Sequence, residues 1–566
     1  MSLKLPVVLR FLILILSSAV LVRAQVVNAT LTGIVTDASG ASVPNAKVRA
    51  INTGTNLPHE AASDSSGAYT IPALSPGEYR VEVEQAGFKR QVLSGIVLQV
   101  AQEARVNVTL QVGEVSESVT VASAAPLVNS ENSTVGSVIT EKRVLDMPLN
   151  GRNFMQLTLL TGGIDEGGTS NAKGGILNKG FAPSAAGMPA AENNYLLDGA
   201  DNTEAFFKTY NLSPSVDSVQ EFRIQIGQYS AEYGAGGGAV VNVVTKSGTN
   251  AFHGAAWEFV RNNAFDARNF FLKPNQEIAA LHQNQFGVAG GGPIIKNRTF
   301  FFGDFDLTRI RQGQFATGNV PTAAQRNGDL SAFNKKIIDP TTGLQFAGNL
   351  IPASKISPIS AALAKFYPEP NAANPTQNYS NNLAAVNDSN NYLIKVDHNI
   401  TAGENLMGRY GSQSNDRYIP LTFPTVGGQL QPQRFQNSVL SLTSAFTPSL
   451  LNEAHFSYSR TVNRTAGQNT GNPIAANAGI PFAPTSGPNS GFPETISFGS
   501  SSISPLSEGQ PWFLTVNTFQ WYDGITWIHG SHSIKAGVDI RRVRADAVLA
   551  THLNNAYTFS GQFSGD

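Results

Sequence analysis

The stretch Thr299-Phe300-Phe301-Phe302-Gly303-Asp304-Phe305-Asp306-Leu307-Thr308-Arg309 alternates between apolar and polar side chains over its second half. Successive side chains of an extended chain point to opposite faces, so one face carries Phe301, Phe305 and Leu307, and the other carries Asp304, Asp306 and Thr308. The stretch His532-Ser533-Ile534-Lys535-Ala536-Gly537-Val538-Asp539-Ile540-Arg541 repeats the alternation. Both stretches predict strands of a mainly β fold, with one apolar face and one polar face.

The same alternation recurs in residues 392–400, 438–446, 453–462 and 512–528. Segments of about ten residues separated by turns are typical of outer-membrane strands. A soluble antiparallel sheet with one solvated face gives the same pattern, so alternation alone leaves both alternatives open. Long polar stretches at residues 313–388 and 463–510 predict surface loops between strands.

Composition narrows the classes of function. The 566 residues include 53 Gly and no Cys, only 14% are charged, and the net charge is −1. The balanced charge gives no electrostatic basis for binding nucleic acid. The lack of cysteine excludes a disulfide scaffold, a Cys-ligated zinc site and a thiol nucleophile. No Gly-x-Ser-x-Gly or His-Glu-x-x-His motif occurs, so we expect no enzyme, no cofactor and no catalytic or metal site.

The first 24 residues have the organisation of an export signal. Lys4 and Arg10 precede an uncharged run at residues 11–22, which ends in Val22-Arg23-Ala24. That run is shorter than the ~20 residues that a membrane helix needs, so cleavage after Ala24 is expected. The exported chain is then either soluble or a β-barrel.

Residues 26–112 contain short alternating runs with turns at regular spacing, which predicts a β-sandwich. The patterns Gly33-x-Val35-x-Asp37-x-x-Gly40, Asp64-x-x-Gly67-x-Tyr69 and Pro76-Gly77-x-Tyr79 resemble the carboxypeptidase regulatory-like domain. The resemblance implies a transthyretin-like sandwich without catalytic residues. A carbohydrate-binding role is the weaker alternative, because only Tyr69, Tyr79 and Phe88 could supply a ring platform.

Residues 113–126 form a polar linker that contains one β-prone segment, Ser118-Val119-Thr120-Val121-Ala122. A segment of this kind can add a strand to a partner's sheet. It resembles the TonB box, through which TonB-dependent receptors bind a periplasmic energy-transducing protein. The alternative is that residues 114–122 are the last strand of the sandwich or a plain linker.

Three motifs mark residues 127–250: Leu145-x-x-Pro148-Leu149-Asn150-Gly151-Arg152, then Leu197-Asp198-Gly199, then Val244-Thr245-Lys246-Ser247-Gly248-Thr249. Their order and spacing resemble the plug of Oar-like TonB-dependent transporters, which implies an α+β plug that fills an outer-membrane barrel. Asp198 and Asp201 suggest a cation site, but Asx turns in a Gly-rich loop explain them more simply. The Gly234–Ala239 pattern is followed by a β-prone run, which argues against a nucleotide site.

Residues 251–566 are then expected to form an antiparallel transmembrane β-barrel of the Oar-like type. Alternation locates roughly ten strands, whereas transporters of this class have 22. We therefore expect an incomplete barrel in this chain, with a smaller closed barrel as the alternative.

The sequence thus predicts an outer-membrane receptor and transporter whose N-terminal domain lies in the periplasm. The expected partners are a TonB-type energy-transducing complex, outer-membrane lipid and an unidentified extracellular ligand, with oligosaccharides and peptides as candidates. The alternative function is a surface protein that binds carbohydrate or mediates adhesion without transport.

Overall fold

The computed structural model describes residues 28–114, 118–122, 135–167, 180–234, 236–268, 270, 278–487, 489–499, 503–509, 511–529, 532–548 and 554–564. The expected export signal at residues 1–24 lies outside this range, and for residues 118–122 only the backbone is described. Within the described residues, no helix is both long and apolar enough to cross a membrane.

The N-terminal domain is a sandwich of two sheets. One sheet has the order β4-β1-β7, with β8 also paired to β1, and the other has the order β3-β2-β5-β6-β9. The strands are β1 (Ala29–Asp37), β2 (Lys47–Asn52), β3 (Pro58–Ala62), β4 (Ala68–Leu74), β5 (Gly77–Glu84), β6 (Arg90–Leu98), β7 (Glu103–Arg105), β8 (Val108–Leu110) and β9 (Ser118–Ala122).

The core of the sandwich lies between the sheets, as the alternation predicts. Leu31, Val35 and Val48 are fully buried there, and so are Tyr69 and Tyr79 at 3% and 1% exposure. The two Asp-x-x-Gly patterns form tight turns, in which the Asp37 and Asp64 carboxylates each accept backbone N–H groups two and four residues further on. The Ser39 hydroxyl also donates to the Asp37 carboxylate. This bond, together with the backbone bonds, lowers the pKa of Asp37.

The middle domain, defined here by the described part of residues 135–250, contains a five-stranded sheet of order β10-β17-β18-β13-β14 and two small hairpins. Its strands are β10 (Gly136–Thr140), β11 (Ile164–Glu166), β12 (Pro183–Ala185), β13 (Asn194–Leu197), β14 (Ala200–Asp201), β15 (Thr203–Glu204), β16 (Thr209–Tyr210), β17 (Val219–Ile226) and β18 (Ala239–Thr245). Short helices cover Glu141–Asp146, Asn150–Arg152, Phe154–Leu160, Ala190–Glu192 and Val216–Ser218. The first helix ends before Pro148, as expected.

Strand β18 follows the Gly cluster at 234–238, so the helix that a nucleotide site requires is absent there.

The C-terminal half is a nine-stranded antiparallel sheet of order β19-β20-β21-β22-β23-β24-β25-β28-β29. The strands of this half are β19 (His253–Asn262), β20 (Leu281–Ile295), β21 (Thr299–Gly318), β22 (Tyr379–Thr401), β23 (Glu404–Ile419), β24 (Gln429–Thr447), β25 (Leu450–Gly467), β26 (Thr495–Phe498), β27 (Leu506–Ser507), β28 (Trp512–His529), β29 (His532–Val548) and β30 (Ala556–Phe559). Three strands extend into the stretches that the sequence predicts as loops: β21 continues to Gly318, β22 begins at Tyr379 and β25 continues to Gly467.

The long connections of this half form an ordered cap. It contains short helices at Ala323–Arg326, Ala347–Asn349, Ala353–Lys355, Pro358–Ala364 and Ile474–Asn477, and a three-stranded sheet of order β27-β26-β30. The cap has its own apolar core, which includes Val320, Tyr379, Phe423, Phe492 and Leu506. The described parts of the loops at residues 319–378 and 468–511 are therefore structured.

Candidate functional site

The two faces of the nine-stranded sheet have opposite character. One cross-strand row joins Leu440, Phe456, Trp521 and Ile540, and these apolar side chains are 42–56% exposed. The opposite face carries polar side chains that are buried against the middle domain: Asp304, Asp306, Lys395, Arg409, Asn437, Ser459 and Gln520. An apolar exterior around a polar interior is the pattern of a membrane barrel and the reverse of a soluble sheet.

The exposed apolar face has a boundary. A row of rings crosses this face with an offset of two residues between β22 and β23: Phe305 lies opposite Tyr392, and Tyr410 is followed across the sheet by Ser438, Tyr458 and Phe519. Beyond this row the same face carries charged residues, and Arg434 pairs with Asp416 at 3.0 Å. Aromatic rings followed by charges mark the level at which a lipid-facing surface meets water.

The Leu197-Asp198-Gly199 motif forms the turn between β13 and β14. Leu197 pairs with Ala200, so Asp198 and Gly199 are the two turn residues, and their φ angles are +49° and +78°. Positive φ at both central residues is the geometry of a type I′ hairpin, which explains the Asp-Gly sequence. The turn brings the Asp198 side chain to the polar inner face of the nine-stranded sheet.

Asp198 makes the central contact between the middle domain and that sheet. Its carboxylate oxygens lie 3.3 Å from Lys395 Nζ on β22 and 2.8 Å from Arg409 Nε on β23. The three side chains are 0–6% exposed. Thr245, from the third motif, donates its N–H at 2.9 Å and its hydroxyl at 2.8 Å to the same carboxylate. Burial opposes ionisation, but the two cations and the Thr245 bonds together hold the pKa of Asp198 below its ordinary value.

Asp201 makes a second contact three residues further on. Its carboxylate lies 3.3 Å from Arg541 Nη1 on β29, and its N–H donates to Gln520 Oε1 at 2.9 Å. Thr203 donates its N–H to Asp201 Oδ1, which is the expected Asx turn. Both aspartates therefore bind side chains of the sheet, and neither belongs to a cluster of acidic or histidine side chains that could hold a metal among the described residues.

The first motif also ends at the sheet. Arg152 forms an ion pair with Asp217, and its guanidinium lies 4.2 Å from the ring of Phe259 on β19. Nearby, Ser215 donates its hydroxyl to Asp304 Oδ1 at 2.7 Å. Each of the three sequence motifs thus supplies a polar residue to the contact between the middle domain and the sheet.

The sandwich docks on strand β17 of the middle domain. Glu221 of β17 accepts the Val100 N–H, while Arg223 of β17 donates to the carbonyl oxygens of Val100 and Ala101. Asn28 reaches the sheet itself and donates to Glu453 Oε1 at 2.7 Å. A cavity of about 430 Å³ lies between the sandwich, the middle domain and the sheet. Burial raises the pKa of Glu221 to about 7.

This raised pKa predicts a pH dependence of docking. The pKa of Glu221 in the docked protein lies above its ordinary value of 4.5. The contribution of Glu221 to the free energy of docking is therefore full below about pH 4.5, and it falls as the pH rises through about 7. The loss is at most about 3 kcal/mol. We expect the melting temperature of the sandwich to fall between pH 5 and pH 8, and the fall to shrink in the isosteric Glu221→Gln variant. Equal falls in both proteins would contradict this assignment.

The predicted TonB-box-like segment, Ser118, Val119, Thr120, Val121 and Ala122, is strand β9 and pairs in parallel with β6. Its role stays a prediction. Of the rings that the carbohydrate-binding alternative requires, Tyr69 and Tyr79 are buried in the sandwich core, and Phe88 packs against that core. The described sandwich therefore offers at most one of the three rings as a sugar platform.

Sequence reasoning did not find Lys395, Arg409 and Arg541 as partners of the middle domain. The alternation does place Lys395 and Arg541 at polar positions of their strands, and so on the polar face of the sheet. What the pattern lacked was any information on which residues of the middle domain face them.

Comparison with known proteins agrees with this architecture. The family model for an outer membrane beta barrel domain matches residues 244–566, which is more than half of the chain. A second family model, the carboxypeptidase regulatory-like domain, matches residues 30–111. The chain therefore belongs to the outer membrane beta barrel domain family, and this places the protein in the outer membrane with its N-terminal domain in the periplasm.

One curated protein is similar in sequence to this chain. The chain is 31% identical over 309 residues to the TonB-dependent transporter Oar of Myxococcus xanthus, and the match covers 52% of this chain and 28% of that protein. Among solved structures, the outer membrane transporter YddB of Escherichia coli matches at 9% identity with a TM-score of 0.47, over 73% of this chain and 48% of its own. A mutant of the ferric enterobactin receptor PfeA of Pseudomonas aeruginosa matches at 12% identity with a TM-score of 0.42, over 73% and 49%. The chain spans less than half the length of each of these proteins.

Proposed function

We propose that this protein is a TonB-dependent transporter, in which the cap loops bind a ligand at the cell surface and residues 127–250 act as the plug of the barrel. The observation that carries the proposal is the buried ion-pair contact of Asp198 with Lys395 and Arg409. It fixes a separate domain to the polar inner face of a sheet whose outer face is apolar. A domain held in this position blocks the space that a ligand has to cross.

The contact also suggests how transport is controlled. A buried ion pair is costly to break when one partner is withdrawn, since the other charge is left without compensation. Movement of the plug therefore needs an energy source, and the predicted source is a TonB-type complex that engages residues 118–122. A ligand can assist only to the extent that it binds the two positions of the plug with different affinity.

This function predicts that uptake depends on residues 118–122 while ligand binding does not. We would assay cells with two fluorescent probes, labelled dextran oligosaccharides and a labelled oligopeptide mixture, and compare wild type with a deletion of residues 118–122. We expect uptake of at least one probe to fall tenfold or more and its surface binding to stay unchanged. The Val119→Pro variant should reproduce the defect, because it removes a backbone N–H from the strand.

The matched control is Glu60→Ala in β3, at the other edge of the same sheet, which should leave uptake unchanged. Surface binding without uptake in wild type, unaffected by the deletion, would instead support the carbohydrate-binding or adhesion alternative.

A further inference from the structure

The sandwich contacts the C-terminal half of the chain at two separate places. Asn28 donates to Glu453 Oε1 on β25 at 2.7 Å, and the Gly54 carbonyl oxygen accepts the N–H of Asn250 at 2.9 Å. Asn250 lies just before β19, and its side chain forms two hydrogen bonds with Asn297 in the turn between β20 and β21, at 2.7 and 2.8 Å. Because β19 and β25 are six steps apart in the sheet order, the sandwich spans a wide arc of the sheet.

Both contacts lie at the end of the sheet that carries the short turns. Residues 296–298 connect β20 to β21 and residues 448–449 connect β24 to β25, whereas residues 319–378 connect β21 to β22 at the opposite end, in the cap. Barrels of the outer membrane have short turns on the periplasmic side and longer loops outside. The sandwich therefore lies at the periplasmic end of the sheet, and the cap lies at the outer end.

The cavity of about 430 Å³ is shared by the sandwich, the middle domain and the sheet. Its lining includes Asp198 and Lys395, which belong to the ion-pair contact that holds the middle domain, and Asn52 and Thr55 of the sandwich. A ligand that has passed the middle domain therefore meets the sandwich next. The volume is near the lower end of the range of about 300–1,000 Å³ that is usual for small-molecule sites. A larger ligand does not fit into this space while the sandwich stays docked.

We propose that the sandwich is a second gate, which closes the periplasmic mouth of the channel behind the middle domain. For a ligand to leave, the sandwich has to move away from the sheet, and the bonds of Glu453 to Asn28 and of Asn250 to Gly54 hold it closed until then. The proposal rests on the proposed transport function, and it adds a barrier in series with the plug.

The contacts of the sandwich suit a part that moves. Its described bonds to Glu453 and Asn250 are single hydrogen bonds, whereas Asp198 holds the middle domain through two buried ion pairs. A hydrogen bond can be exchanged for one to water at small cost, but a buried ion pair is costly to break. The sandwich core comes from residues 29–110, so the domain can move as one body. Relative motion is also the general expectation for domains joined by small polar contacts.

Two reversible locks test the gate, one at each contact. In the pair Gly54→Cys and Thr249→Cys, a Cβ at position 54 lies 3.7 Å from the Thr249 Cβ. This separation is within the range of about 3.5–4.5 Å that a disulfide requires. The chain contains no cysteine, so the two thiols are the only ones present. The second lock is Asn28→Cys with Glu453→Cys, bridged by a short reducible bis-methanethiosulfonate reagent.

The matched control is Lys47→Cys with Ala62→Cys, a register pair that joins β2 to β3 within the sandwich and leaves the domain free to move. All three pairs are placed in full-length Asp198→Asn protein, in which the middle domain has lost its counter-charge to the sheet. The ionic current through a planar bilayer is recorded at the urea concentration that opens Asp198→Asn, first with the lock closed and then after reductant. We expect each closed lock to abolish the current, reductant to restore it, and the control pair to conduct in both states.

Equal currents in the locked and reduced forms of both lock variants would overturn the gate. A loss of current with only one lock would support it, and would identify the other contact as the hinge about which the sandwich turns. Failure of the pair at positions 54 and 249 to oxidise would overturn the proposal too, because the sandwich would then not be docked at the mouth. Silence of the reduced and locked proteins at every urea concentration would instead contradict the channel itself, and with it the proposed function.

Discussion

Asp198→Asn is expected to weaken the attachment of the middle domain to the nine-stranded sheet by about 3–5 kcal/mol. The substitution keeps the size of the side chain but leaves Lys395 and Arg409 buried without their counter-charge. Uncompensated buried charge is the reason for so large an effect. The measurement is chemical unfolding of the protein in lipid vesicles, followed by a fluorophore on the middle domain.

The matched control is Asp165→Asn, an exposed carboxylate of the same domain, for which we expect a change within ±0.5 kcal/mol. Replacement of Arg409 by Met in the Asp198→Asn background should recover part of the loss, since it removes one of the two unpaired charges. Equal unfolding midpoints for Asp198→Asn and wild type would show that the ion pair does not hold the domain in place.

Leu440→Arg is expected to destabilise the folded protein in a bilayer by about 2–4 kcal/mol. Leu440 is 55% exposed on the apolar face of β24, between Gly408 and Phe456 on the neighbouring strands. It lies on the lipid side of the aromatic row, where a charged side chain meets hydrocarbon. The free energy of unfolding from lipid vesicles in urea measures the effect.

The control substitution is Leu430→Arg on the same strand and the same face. Leu430 is 43% exposed, but it lies near the far end of β24, past the level at which Arg434 and Asp416 already occupy this face. We expect a cost of about 0–1 kcal/mol there. Equal costs at the two positions would mean that the face has no lipid-buried level.

Local periodicity explains why the sheet was predictable. The assignment of Phe301 and Phe305 to one face and of Asp304 and Asp306 to the other is confirmed, because side-chain alternation in a strand depends only on neighbouring residues. The same holds for the sandwich strands and for the helix that ends before Pro148. The strand ends were less predictable. Strand β22 begins at Tyr379 because its first residues are paired to β21 by backbone hydrogen bonds, which a side-chain pattern does not reveal.

The contacts of the candidate site were not predictable, because they join residues far apart in the sequence. The sequence predicts an Asx turn at Asp198. The structure places Asp198 in a hairpin turn instead, and its carboxylate binds Lys395 and Arg409, which lie about 200 positions further along the chain. For residues 118–122 the sequence leaves the partner strand open, since alternating Val and Thr fits a strand in any sheet, and the structure pairs them with β6. Only the folded arrangement supplies the partners.

The ionic current through the full-length protein in a planar bilayer tests the central claim most directly, namely that the middle domain is held by Asp198 inside a membrane channel and closes it. The account predicts that wild type is silent at low urea, and that Asp198→Asn opens at a lower urea concentration than wild type or Asp165→Asn. A current in untreated wild type, or the same opening concentration for all three proteins, would contradict it.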